Sequence, residues 1–361
     1  MSVREILHRR APAAPERTEV DVIKTLKEWD GTHRVTWIDA ARGIGIALIV
    51  WGHAVRGSME AELVPWPQTF EFLDFALYTF HVPLIFFLSG MTRSLGTRKN
   101  WGTRSREWLI NLVWPYLLWS SILIIVQSGM VGSVNRSIDV SRIISIPWNP
   151  FSIFWFFYVL FIYRIIHQLF WGKIHYLLGL SFVGLVASWV TGVDELWQQV
   201  LAYLPYYAAG AALSRPELIP ASILRHSLST AVALGLFGAA VMLVYKAGFD
   251  DPRGTWATVP AVLGICAALG LAIHLRGRGA AIFQSLGQCS MVIYLTHVFF
   301  AAGTRILIER AFHVPASLLY PIAATLIGVV VPWCLALMFR RTRLAPIIGF
   351  GRRTSSIQVK T

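Results

Sequence analysis

Charge and cysteine are both scarce in this sequence. Only 14% of its 361 residues are charged, and its 19 acids are outnumbered by 32 Lys and Arg. That is too apolar a surface for a water-soluble chain of this length, which excludes an ordinary soluble enzyme. The three cysteines, Cys266, Cys289 and Cys334, are solitary, lie in apolar segments and show no CxxC or CxxH spacing. Neither a disulfide frame nor a metal site is supported, and they read as small apolar packing residues. No stretch of signal-peptide type precedes residue 36, so the first apolar run is expected to be an uncleaved signal anchor. Internal repeats, and the inverted pairs of broken spans that mark many carriers, are also missing.

What the chain has instead is hydrophobic sequence, 55% of its residues at a mean hydropathy of +0.57. Windows long enough to cross a ~30 Å hydrocarbon layer as helices fall at 36–55, 76–92, 109–129, 151–170, 176–191, 196–213, 226–246, 256–275, 286–308 and 316–339. The expected fold is an all-α polytopic membrane protein of about ten spans. Basic residues collect on the cytoplasmic side of short loops. With ten spans, 24 of the 32 Lys and Arg fall on the side of both termini, which are therefore expected to be cytoplasmic. The same asymmetry accounts for the net charge of +13, and no soluble basic module suggests nucleic-acid binding.

Residues 1–35 are expected to form a cytoplasmic tail, 36–340 the membrane domain, and 341–361 a mobile basic cytoplasmic tail. The aromatic outer connections, VPWPQTF and SIPWNPFSIFWF, fit an interfacial belt or a platform on which sugars stack.

The first span, WIDAARGIGIALIVWGH, carries an acid, a guanidinium and an imidazole. Ionisable groups inside a span are costly and usually face other helices or a wet cavity. Arg42 and His53 are eleven residues apart; at about 100° per residue this is within about 20° of three full turns, so they share a stripe. Asp39 lies three residues before Arg42 and can pair with it. With the N-terminus inside, Arg42 is near the cytoplasmic mouth and His53 about 16 Å further out. A guanidinium suits phosphate, and an imidazole suits general-base work. Alternatively, Arg42 snorkels to the interface beside Asp39 and His53 is an interfacial histidine.

Further segments stand in a characteristic order: DAARGIGIALIVWGH, then FHVPLIFFLSG at 80–90, RSREWLINLVWPY at 104–116, FWFFYVLF at 154–161 and SMVIYLTH at 290–297. Together, over about residues 34–340, they resemble the acyltransferase 3 family of integral membrane acyltransferases, particularly the fucose 4-O-acetylase-like branch of sugar O-acetylases. The resemblance implies transfer of an acyl group, usually acetyl from acetyl-CoA, to a hydroxyl of a carbohydrate or glycolipid in a bacterial cytoplasmic membrane. Envelope-glycan biosynthesis proteins are implied as partners. His53 resembles the family's essential histidine and Arg42 its basic partner. After residue 340 no esterase-like domain of the kind found in larger members is expected.

On this reading Arg42, Arg104 and Arg106 hold the CoA phosphates near the cytoplasmic surface while the thioester reaches His53. Asp39 is about 21 Å from His53 along the helix and cannot orient it. His81 is expected at a similar depth to His53, to orient substrate or stabilise an oxyanion, or else to be a packed histidine. Tyr294 and His297, three apart on one face, are candidates for the tunnel wall or a structural pair. Arg305, further out, meets an acidic or phosphorylated acceptor or snorkels. Ser89 and Gly90 read as a close helix contact, and His167, His175 and His274 as solvated helix ends. The rival functions are a transporter or flippase for a saccharide or small anion, and a scaffold that has lost the chemistry.

Overall fold

The computed structural model describes residues 35–95, 99–130, 138–190, 194–214 and 227–351. Residues 1–34 of the expected N-terminal tail and residues 352–361 lie outside these. Eleven helices are distinguished among the described residues, and no strand. They are α1 (Thr36–Glu60), α2 (Pro67–Leu95), α3 (Trp101–Gly129), α4 (Trp155–Leu169), α5 (Ile174–Val190) and α6 (Glu195–Ala212). The remainder are α7 (Ser227–Lys246), α8 (Thr258–His274), α9 (Gly277–Gln288), α10 (Ser290–Leu307) and α11 (Leu319–Phe339).

Eight of them, α1–α4, α7, α8, α10 and α11, are long and apolar enough to cross a membrane when short adjoining turns are included. In lipid a helix satisfies its own backbone donors and acceptors, which is why apolar runs of this length settle as helices. The fifth and sixth expected spans coincide with α5 and α6, which are shorter or less apolar. The expected ninth span, 286–308, is interrupted: α9 ends at Gln288 and α10 begins at Ser290 after Cys289. α3 is drawn out by a π-helical turn, Leu109–Val113, that joins its Arg-bearing first turns to the apolar remainder.

α1 is the hub, packed against α2, α8, α9, α10 and α11. Without a hydrophobic drive between helices in lipid, close backbone approach through small residues holds such a bundle together. A Cβ at Gly43 would run into the carbonyl of Phe283, and one at Gly287 into that of Asp39, so α9 crosses the N-terminal half of α1 in backbone contact. Gly90 and Gly210 bring α2 and α6 together in the same way, the close contact read from Ser89-Gly90. α7 buries little beyond Thr230 and Val241 and leaves Leu228 and Leu243 on the outside, as suits a helix facing lipid.

Residues 340–351 are folded against α3. The indole N–H groups of Trp114 and Trp119 donate to the carbonyls of Ile347 and Ile348 at 2.8 and 2.9 Å, and the ring of Phe350 stacks on Trp119. The first part of the expected mobile C-terminal tail is thus held in place by two tryptophans of α3.

Candidate active site

α1 and α2 run antiparallel, and their contacts form a ladder. Arg42 reaches Thr92, Gly45 meets Leu84 and Ile85, Gly52 meets Leu77 and Tyr78, His53 meets Tyr78, and Arg56 meets Asp74. The shared stripe of Arg42 and His53 therefore faces α2 along its length, as their helical spacing required.

At the N-terminal end of α1 Arg42 Nη1 donates to Asp39 at 3.4 Å and Nη2 to the Thr92 hydroxyl at 3.4 Å. Asp39 is buried and Arg42 partly exposed, so the guanidinium is held yet open to one side. Arg104 sits on the first turn of α3, paired with Glu107 at 2.9 Å, while Arg106 is exposed.

Around the C-terminal half of α1 three histidines gather. His53, from α1, is partly exposed, and its ring centroid is 5.3 Å from that of His297 on α10, with the planes 35° apart. His297 is fully buried, and its Nδ1–H donates to the carbonyls of Tyr294 at 2.8 Å and Ile293 at 3.1 Å. A carbonyl only accepts, so the proton is on Nδ1, and the lone pair of the neutral ring is on Nε2, which is buried without a hydrogen-bond partner. His81, 1% exposed, is fixed in the same tautomer by donating Nδ1–H to the Leu77 carbonyl at 2.6 Å. Its ring packs on the edge of Tyr78, with centroids 4.4 Å apart.

Tyr78 links the group. Its hydroxyl lies 3.4 Å from His53 Nδ1, and the Arg56 guanidinium covers its ring with the carbon 3.2 Å from the centroid. Arg56 is in turn gripped by Asp74 through contacts of 2.8, 3.0 and 2.8 Å. Asp74, Tyr78 and His81 stand at i, i+4 and i+7, on one face of α2, and Arg56 is one turn beyond His53. Sequence reasoning missed Asp74, Tyr78 and Arg56, although that spacing was the available signal.

The other candidates fall in different places. Tyr294 donates its hydroxyl to the Ile153 carbonyl and packs on Phe156 and Phe157, anchoring α10 to the start of α4; its ring is 5.9 Å from that of His297. Arg305 is buried two turns beyond His297, within electrostatic reach of Glu309 and Glu60. His167 is not a solvated helix end: it is 5% exposed and contacts the Tyr207 hydroxyl at 3.1 Å and Ser94 Oγ at 3.3 Å. Among the described residues no group of three His, Cys, Asp or Glu is placed to hold a metal ion.

The arrangement offers an imidazole with one nitrogen within reach of a hydroxyl, beside a second imidazole with an unused lone pair, on a face that carries a guanidinium about 16 Å nearer the N-terminus of α1. That is the equipment for moving a proton within a membrane. Comparison with curated proteins and with solved structures gives no match. The family model described as an acyltransferase domain matches residues 35–337. The chain is a multi-pass membrane protein of the acyltransferase 3 family.

Proposed function

We propose that this acyltransferase moves an acetyl group from acetyl-CoA to a hydroxyl of a carbohydrate, such as an exopolysaccharide, lipopolysaccharide or lipid-linked sugar, as in the sugar O-acetylase branch. The membrane would be a bacterial cytoplasmic membrane with both chain termini inside. The observation that carries the reading is the convergence of His53, Tyr78 and His297 on the stripe that begins at Arg42.

In this scheme the donor enters from the inner face, its phosphates held by Arg42 and Arg104 with Arg106 at the rim, and its thioester extends along α1 to His53. When the Tyr78 hydroxyl accepts from His53 Nδ1–H, Nε2 bears the lone pair. That nitrogen takes the proton of the acceptor hydroxyl as its oxygen attacks the thioester carbonyl. The tetrahedral intermediate then collapses, the C–S bond breaks, and the departing CoA thiolate takes the proton back from His53. Acyl transfer is thereby balanced without a covalent enzyme intermediate. Asp39 holds Arg42 in place, and Arg56 with Asp74 steadies Tyr78 at the outer side, where the acceptor arrives.

Membranes carrying the protein, given acetyl-CoA with and without envelope glycans, test this by the release of free CoA thiol. Glycan-dependent thiol release with acetyl ester appearing on sugar supports the reading. Movement of a saccharide or anion with no thioester consumed would instead identify a carrier.

A further inference from the structure

The aromatic stretch SIPWNPFSIFWF divides in the fold, and the chemistry above uses neither of its tryptophans. Trp148 is 63% exposed, as suits an interfacial belt. Trp155, on the first turn of α4, is only partly exposed and packs into the bundle. Its ring stacks on that of Tyr203 of α6, with centroids 5.7 Å apart and planes inclined by 21°. Tyr203 stacks in turn on Phe86 of α2, with centroids 5.4 Å apart. Three rings from three helices thus stand in one pile, and Trp155 is its open end, because Phe86 and Tyr203 are buried.

Two lines of contact lead from this pile to His53. Tyr203 is within electrostatic reach of Tyr78, whose hydroxyl meets His53. On the other side Phe156, next to Trp155, has its ring centroid 5.3 Å from that of Tyr294, which lies beside His297, and His297 lies beside His53. The first turn of α4 therefore borders the proposed reacting group from two directions.

Polar groups with work still to do frame the rings. Tyr203 is 4% exposed, yet among the described residues its hydroxyl makes no hydrogen bond. A phenol withdrawn from water normally finds a partner, since leaving it without one is costly. The Tyr203 ring is also within electrostatic reach of Arg253 and Asp251, in the connection between α7 and α8. Arg253 is held between Asp251 and Glu195, each at 3.2 Å, and Arg56 is held by Asp74. The cations here are matched by carboxylates, so the surroundings favour an uncharged ligand over an anion. A wide indole face ringed by a hydroxyl, carboxylates and a guanidinium suits a molecule with an apolar face and an edge of hydroxyls. A sugar ring has that shape.

We infer that Trp155 and Tyr203 form the saccharide subsite of this protein. The C–H face of a sugar ring lies on the Trp155 indole, the Tyr203 hydroxyl bonds one sugar hydroxyl, and Asp251 and Arg253 meet others at the edge. A further hydroxyl is thereby left facing His53. The inference rests on the acyl-transfer reading only for the fate of that last hydroxyl, so binding and transfer are separable.

The test uses the purified full-length protein in lipid nanodiscs. The probes are the methyl glycosides of glucose, galactose, mannose, rhamnose and fucose, read by saturation-transfer NMR and titrated for affinity. Wild type is expected to bind at least one glycoside, with saturation strongest on the C–H face of the sugar. Trp155→Ala should weaken that binding by about tenfold or more, as loss of an aromatic platform predicts. Trp148→Ala, at the exposed position, should bind as wild type. If Trp155→Ala does not fold, Tyr203→Phe decides the matter: it keeps the stack, and loss of one hydrogen bond should weaken binding by about three- to tenfold. In the transfer assay Trp155→Ala should raise KM for the glycan and leave KM for acetyl-CoA unchanged. Glycoside binding lost in Trp155→Ala, with no acetyl transfer by wild type, would strike the acyl-transfer reading and leave the subsite standing. No binding of any glycoside by wild type overturns the subsite. Undiminished binding by a folded Trp155→Ala, or by Tyr203→Phe in its place, overturns it as well.

Discussion

His53 and His297 come from helices far apart in the chain, yet their rings stand 5.3 Å apart with the planes inclined by 35°. The Nε2 lone pair of His297 is then a neighbour of the proposed base rather than a bystander. Replacing His297 by Asn removes that nitrogen from the site. Acyl transfer by His297→Asn is expected to fall by about 10 to 100-fold, within the range for a group acting on proton transfer. The helix content and unfolding midpoint should stay close to wild type. Full activity in a folded variant would make His297 a packing residue.

Tyr78→Phe removes only the hydroxyl that meets His53 and keeps the ring between Arg56 and His81 and edge-on to His53. The expected result is a fall in kcat of about tenfold with KM for the acyl donor unchanged, since the contact lies at the reacting end and not at the phosphates. A KM increase with kcat preserved would mean that Tyr78 positions substrate and not the imidazole.

Tyr294 separates anchoring from chemistry. Its hydroxyl is committed to the Ile153 carbonyl, so Tyr294→Phe should cost stability of about 0.5–1.5 kcal/mol in the unfolding equilibrium. Specific activity of the folded fraction should change less than twofold by comparison. Steady-state assays normalised to folded protein, alongside denaturant unfolding, measure both.

Gly43 and Gly57 lie on the same helix and make opposite predictions. A methyl at Gly43 meets the Phe283 backbone, which cannot swing aside, whereas one at Gly57 meets nothing within 4 Å. Gly43→Ala should lower the unfolding midpoint in detergent markedly through separation of α1 from α9. Gly57→Ala should be neutral or slightly stabilising, since alanine is the better helix former. Equal midpoints would contradict the backbone contact between α1 and α9.

The sequence made the first span readable because α-helical geometry is local: the spacing from Arg42 to His53 put both on one stripe before any partner was known. It also made the eight long apolar helices readable, since length and hydropathy decide what can cross lipid. The companions of His53 were harder. Asp74, Tyr78 and His81 share a helix face, but nothing local says that this face meets α1, and Arg56 looks like one more loop cation. The break at Cys289 falls in a stretch containing Gln284, Ser285, Gly287, Gln288 and Ser290 that the long apolar window passed over, and there Gly287 lies in backbone contact with Asp39 of α1. Arg93 was counted as a positive-inside residue; its burial against Gln168 and Trp171 is visible only once the helices converge.

The central claim is that His53 takes the proton of the acceptor hydroxyl. The most direct measurement is transfer of labelled acetyl from acetyl-CoA to envelope glycans in membranes carrying wild type or His53→Ala, at matched levels of folded protein. The account predicts label on sugar with wild type and a loss of about 100-fold or more with His53→Ala. Equal transfer by the two proteins would contradict it.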